Sequence, residues 1–139
     1  MQIQPYLFFD GRCEEALDFY KKALGAQVEM LMRFKEAPPS DKPGEGCGPQ
    51  VNPDKIMHSS FKVGDTVLMA SDGMASGKPE FKGISLSIVA KSDAEAKRFF
   101  DALSYGGMVQ QPLIKTFFSS SFGMVADKFG VGWMIVVMA

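Results

Sequence analysis

Shifted against itself by 80 residues, the chain lays one helical pattern on another without a gap, pairing Glu15 with Glu95, Ala16 with Ala96 and Phe19 with Phe99. This self-similarity limits the possible folds more than any other feature of the sequence. In the first copy Ala16, Leu17, Phe19, Tyr20, Ala23 and Leu24 recur at the spacing that gathers apolar side chains on one helical face. The pattern starts near Cys13 and stops at Gly25-Ala26. In the second copy Ala96, Phe99, Phe100 and Leu103 form the stripe of a helix over 93–104, with Gly106-Gly107 as its stop. Ser92 followed three residues later by Glu95 makes a capping box at its start. Under the same offset Pro5-Tyr6-Leu7-Phe8-Phe9 falls on Ser85-Leu86-Ser87-Ile88-Val89, and both read as short apolar strands.

Three further strands follow each helix. In the first module they are expected at 27–34, 56–63 and 66–71, the last two joined by the tight turn Gly64-Asp65. In the second they are expected at 108–112, 120–127 and 133–138, with Gly130 and Gly132 in the last turn. The reading is therefore α+β: two β-α-β-β-β modules, 1–72 and 84–139, joined by a Gly/Ser/Lys-rich linker at 73–83 in a single domain of 139 residues. Residues 35–55 hold five of the eight prolines and three glycines, so they read as a long loop rather than a strand.

Composition bears on function mainly by exclusion. An apolar share of 46% against 22% charged is enough for a chain of this length to bury a core without staples. Fifteen basic residues balance sixteen acidic ones with no basic cluster, which argues against a nucleic-acid partner. The N-terminus lacks the features of a leader and no apolar run is long enough to span a membrane, so a cytoplasmic location without membrane association is expected. Cys13 and Cys47 lie in unlike surroundings without CxxC spacing and read as free thiols.

Few residues offer chemistry. His58 is the sole histidine; its ordinary pKa of about 6.5 suits proton transfer, making it the one weak catalytic candidate. On its expected strand it shares a face with Ile56, Ser60 and Lys62, where hydrogen bonding to a neighbour is the plainer role. Glu14, Glu15, Asp18, Asp93, Glu95 and Asp101 fall on helices whose apolar faces turn inward, and so read as solvated or as supporting helix starts. Asp72 and Asp127 sit near strand ends and read first as turn residues. Ser119-Ser120-Ser121 lacks an elbow motif and an obvious base. Ten methionines and twelve phenylalanines exceed what a core of this size needs. Met57, Met69, Met124, Met134 and Met138 fall on expected strands, where their adaptable side chains suit either a core or a binding cup.

The segments PYLFFDGRCEEALDFYKKALGA, IMHSSFKVGDTVLMASD and LIKTFFSSSFGMVADKFGVGWMIV, with the second strand-helix unit, resemble the PhnB-like branch of the vicinal oxygen chelate (glyoxalase/bleomycin resistance/dioxygenase) superfamily over nearly the whole chain. The resemblance implies paired modules in a cupped mixed sheet around a pocket, and a homodimer. Some sequences of this branch carry the name 3-demethylubiquinone 3-methyltransferase, but this chain has no Gly-rich nucleotide turn between a strand and a helix.

Superfamily enzymes hold one divalent metal with His, Glu or Gln from the first and last strands of each module. The resemblance places those positions at Pro5, Met69, Gly83 and Val136, none of which supplies such a side chain. No metal and no cofactor are therefore expected. The implied function is binding of a small molecule in an apolar cup, with Tyr6, Phe8, His58, Met69, Phe117, Phe118, Phe122 and Trp133 as expected contacts; Trp133 leads because its indole joins an apolar face to an N–H donor. The alternatives are a metal-dependent lyase, isomerase or dioxygenase of the same superfamily, and a drug-sequestering protein of the resistance type.

Overall fold

A computed structural model describes residues 1–36, 52–73 and 79–138. Cys47, most of the loop expected at 35–55 and the middle of the expected linker lie outside the described residues. The chain divides into two compact units, Met1–Pro79 and Glu80–Ala139.

The first unit runs β1 (Tyr6–Phe8), α1 (Cys13–Leu24), β2 (Gln27–Arg33), β3 (Ile56–Val63) and β4 (Thr66–Ser71). Its four strands form one mixed sheet in the order β1-β4-β3-β2. β1 runs parallel to β4, and the other neighbours are antiparallel. α1 buries Ala16, Leu17, Tyr20, Ala23 and Leu24 of the stripe expected from the spacing and adds Cys13, while Phe19 is only half-buried at its edge. Tyr20 stacks on Phe61 of β3 with ring centroids 6.0 Å apart, and Leu7, Phe9, Leu68 and Ala70 complete this core. Gly25 ends the helix in the left-handed conformation, φ 69°, where a Cβ would be strained. Phe34–Glu36 form a 3-10 turn, so β2 stops one residue before the expected boundary. Backbone bonds from Phe34 to Lys55 and from Lys35 to Pro53 tie the two described ends of the long loop together.

The second unit repeats the plan with β5 (Leu86–Ala90), α2 (Asp93–Ser104), β6 (Met108–Ile114), β7 (Ser119–Ala126) and β8 (Gly132–Met138), in the sheet order β5-β8-β7-β6. Ser92 caps α2, its Oγ accepting the Glu95 amide at 3.1 Å. Ala96, Phe100 and Leu103 are the buried face of α2, and Phe99 is half-buried as Phe19 is in α1. β6 continues two residues past the expected end because it is an edge strand, where Pro112 need not donate to a neighbour on both sides.

One expectation is corrected. Both helices start 80 residues apart, at Cys13 and Asp93, but the strands before them do not keep that offset. Leu7 is buried and Phe8 54% exposed, whereas Ser87 is exposed, Ile88 half-buried and Val89 60% exposed. Phe9 and Ala90 are both buried. The strands therefore match at an offset of 81, and the first unit carries one more residue between strand and helix. A slip of one residue exchanges the two faces of a strand, so burial selects the register that identity could not.

Candidate functional site

Each sheet has one face under its helix and one face turned away from it. In the first unit, alternation puts Leu7, Ser59, Phe61, Leu68 and Ala70 under α1, which leaves Tyr6, Phe8, His58, Ser60, Lys62 and Met69 on the other side. The antiparallel register sets Met30 opposite Ser60 and Met32 opposite His58, so both methionines join that open face. The structure thus brings four of the expected contacts, Tyr6, Phe8, His58 and Met69, onto one surface. It adds Met30 and Met32, which sequence reasoning missed because a bulge between Val28 and Met30 breaks the simple alternation of β2.

A hydrogen bond at the centre of this face is long in sequence and short in space. Tyr6 Oη lies 2.9 Å from His58 Nδ1, and the two rings stack with centroids 5.5 Å apart. β4 runs between β1 and β3, so the Tyr6 side chain spans an intervening strand, roughly 10 Å across the sheet, to reach the imidazole. Phe8 lies against Tyr6 at 4.9 Å, and Met69 is the β4 partner of Tyr6. The surface is largely apolar and polarizable, with the Tyr–His pair and Ser60 as its central polar groups and Lys62 at the far end of β3.

In the second unit the expected residues separate. Phe117, Phe118 and Phe122 form an edge-to-face series with successive centroids 5.2 Å apart, and Phe117 is almost fully exposed. Phe122, Met124, Met134 and Met138 share the face turned away from α2. Trp133 is on the opposite face, level with Val125, and is 3% exposed. Its indole N–H, expected to be offered to a ligand, is donated to Asp127 Oδ2 at 2.8 Å. Asp127 Oδ1 accepts the amides of Phe129 and Val131, so this carboxylate organises the turn from β7 to β8.

The remaining polar groups are also engaged. Asp72 is buried and accepts the amides of Gly11, Cys13 and Ile56 at 2.7–2.8 Å, fastening the connection from β1 to α1 onto the start of β3. Nearby, a polar cleft of about 190 Å³ is bordered by Glu14, Arg33, Asp54 and Lys55. Arg33 bonds to Glu14, whose carboxyl is thereby held below its ordinary range, and to the Asp54 carbonyl; Lys55 bonds to the Gly11 carbonyl. Burial, followed by the charge of Asp72, pushes the Cys13 thiol up to about 12. Ser120 and Ser121 both donate to Asp93, which lowers that carboxyl's pKa, while Ser119 donates to the Ser121 carbonyl. The chain's sole histidine belongs to the first unit and the three serines to the second.

At the four positions to which the resemblance assigns metal ligands, the residues do not fit a divalent metal: the Pro5 carbonyl is occupied by the Met69 amide, Met69 carries a thioether, Gly83 has no side chain, and Val136 is a buried aliphatic. Among the described residues no three His, Cys, Asp or Glu side chains converge on a point.

Comparison with known proteins gives a consistent neighbourhood. A sequence profile of the 3-demethylubiquinone-9 3-methyltransferase family matches residues 1–136. Protein YjdN of Escherichia coli K12 is 37% identical over 141 residues, covering 99% of this chain and 96% of its own. The crystal structure of PA1353 from Pseudomonas aeruginosa is 44% identical with a TM-score of 0.82, covering 99% of this chain and 98% of its own. A PhnB protein from Bacillus cereus, named a putative 3-demethylubiquinone-9 3-methyltransferase, is 25% identical with a TM-score of 0.78, covering 99% of each chain. The fold of two helices and two mixed sheets is one that glyoxalase-related structures share.

Proposed function

The chain belongs to the 3-demethylubiquinone-9 3-methyltransferase family, the PhnB-like branch of the vicinal oxygen chelate superfamily, and we propose that it binds a small, largely apolar molecule on the open sheet face of its first unit. The observation that carries this reading is the collection of Tyr6, Phe8, Met30, Met32 and Met69 around the Tyr6–His58 hydrogen bond on one face. A surface of this kind gives an apolar ligand dispersion contact from adaptable side chains and leaves one polar group to orient it. Phe118 and Phe122, with the exposed Phe117, are assigned to a second apolar surface that serves ligand or homodimer contact. The binding takes place in the cytoplasm, without cofactor, nucleic acid or membrane. Methyl transfer is not part of this reading: the connections into α1 and α2, Asp10-Gly11-Arg12 and Lys91-Ser92, lack a Gly-rich nucleotide turn.

The test uses the neutral probe N-phenyl-1-naphthylamine, whose fluorescence rises in apolar surroundings. The full chain is expected to bind it saturably, and Met69→Ala or Phe8→Ala to weaken binding more than His58→Gln. Absence of saturable binding would overturn the reading. A loss from His58→Gln as large as that from Met69→Ala would favour chemistry at His58 over plain binding.

A further inference from the structure

We propose that the Tyr6 hydroxyl is the group by which this face selects its ligand, and that His58 is the residue positioning it. The ligand is then an uncharged molecule whose apolar body carries one hydroxyl or carbonyl oxygen. The inference rests on the binding reading above and adds the ligand's polar chemistry to it.

A phenol has one O–H donor and two acceptor sites, and an imidazole nitrogen engages only one of them. Tyr6 Oη sits 2.9 Å from His58 Nδ1, so hydrogen-bonding capacity remains at the oxygen on a face whose neighbouring side chains are Phe8, Met30, Met32, Met69 and Ser60. Phe8 and the three methionines carry no donor to compete for it, and Ser60 stands beyond Met69 in the register. With Nδ1 unprotonated, Tyr6 donates to His58 and its lone pairs accept from a ligand hydroxyl. With the proton on Nδ1, His58 donates to Tyr6 and the phenol O–H points to a ligand carbonyl. The two arrangements differ by the imidazole tautomer, so one pair serves either oxygen type.

Charge is disfavoured by the same surroundings. Among the described side chains of this face Lys62 is the charged one, four residues along β3 from His58, and a carboxylate or ammonium seated at Tyr6 would lose water without gaining a counter-charge. Tyr6 and His58 are both half-buried, which leaves them reachable while partly excluding the water that would mask a hydrogen-bond preference. The reach of Tyr6 across β4 also has no need of His58 for covering the core, since Leu7 and Phe9, not Tyr6, face α1.

The experiment titrates the full-length chain at neutral pH with a matched pair, 2-naphthol and naphthalene, by calorimetry or ligand fluorescence. The wild-type chain is expected to prefer 2-naphthol about three- to tenfold, the worth of one neutral hydrogen bond. Tyr6→Phe removes the preference and leaves naphthalene affinity in place. His58→Ala reduces the preference, and His58→Gln, whose amide can again meet the Tyr6 hydroxyl, restores part of it. Phe8→Ala weakens both probes alike, and thermal unfolding of each variant checks that the fold is intact. Equal affinity of the wild type for the two probes, or a preference that survives Tyr6→Phe, would sink the inference while leaving the binding reading standing. Binding of neither probe overturns both.

Discussion

Asp127 and Trp133 hold each other across the turn from β7 to β8, Oδ2 of the carboxylate taking the indole N–H at 2.8 Å in a buried setting. Because Oδ1 also accepts the amides of Phe129 and Val131, one side chain satisfies three buried donors. Removing it takes an acceptor from each of the three, and a buried donor that loses its acceptor costs more than the bond itself contributes. Asp127→Ala is expected to lower stability by about 2–4 kcal/mol. Trp133 is the sole tryptophan, so urea unfolding followed by its emission reads the loss directly, with a red-shifted native spectrum as a second sign. Asp127→Asn, which keeps one acceptor, should lose less.

Cys13 sets a pH dependence whose sign follows from its environment. The thiol is raised from 9.0 to about 12 in the native state, chiefly by burial. Below pH 9 it is protonated folded and unfolded alike, and contributes no slope. As pH rises through 9 toward 12 the unfolded thiol ionises and the native one does not, so stability falls over that window. Cys13→Ala is expected to remove that part of the alkaline decline, whatever the substitution does to stability at neutral pH. In a Cys47→Ser background, native Cys13 at pH 8 should resist a thiol reagent such as dithionitrobenzoate and react once urea unfolds the chain. Prompt labelling of native Cys13 would contradict its placement.

Packing makes a separate prediction at Gly123. A Cβ built there would lie 2.8 Å from Cε2 of Phe100 and 3.0 Å from Leu113, too close for the ring of α2 to stay where it is. Gly123→Ala should destabilise by about 1–3 kcal/mol through overpacking. Adding Phe100→Leu should recover part of that loss, and a double-mutant cycle by chemical denaturation tests the coupling. Additive effects would mean that the two positions do not meet.

Metal content bears on the choice between binding and superfamily chemistry. Protein prepared without chelator or affinity tag is expected to hold well under one equivalent of zinc, nickel, manganese or iron by plasma mass spectrometry, and to take up none on addition. Stoichiometric metal would mean that ligands other than Pro5, Met69, Gly83 and Val136 assemble a site, and would move a lyase, isomerase or dioxygenase reaction ahead of binding.

The extent to which the sequence was legible follows the range of the forces involved. α2 was readable over its full length because Ala96, Phe100 and Leu103 repeat at helical spacing and Ser92 marks its start, all within a dozen residues. The hairpin from β3 to β4 was equally plain from Gly64-Asp65, where Gly64 takes φ 58°. Phe19 was placed one step too deep, since a periodic stripe says which side a residue is on but not how far the sheet beneath it extends. The offset of the repeat failed by one residue in the strands for a similar reason: short apolar strands carry too little identity to set their register.

The candidate site was legible only in part. Tyr6, Phe8, His58 and Met69 were each named from the sequence, yet nothing in it joined Tyr6 to His58, which lie 52 residues apart with another strand between them. Met30 and Met32 were hidden by the bulge in β2. The chemistry of Trp133 suits a ligand donor, but the turn supplies the partner that uses its N–H internally.

By itself, then, the sequence determined the elements, their order, the repeat and the apolar side of each helix, since these follow from periodicity and capping among neighbours in the chain. The tertiary structure decided which side chains meet: that Tyr6 reaches His58 over β4, that Met30 and Met32 stand beside them, and that Asp127 claims Trp133. Strand order and register fix those pairings, and both are settled by burying apolar surface between distant segments, a condition that no local pattern encodes.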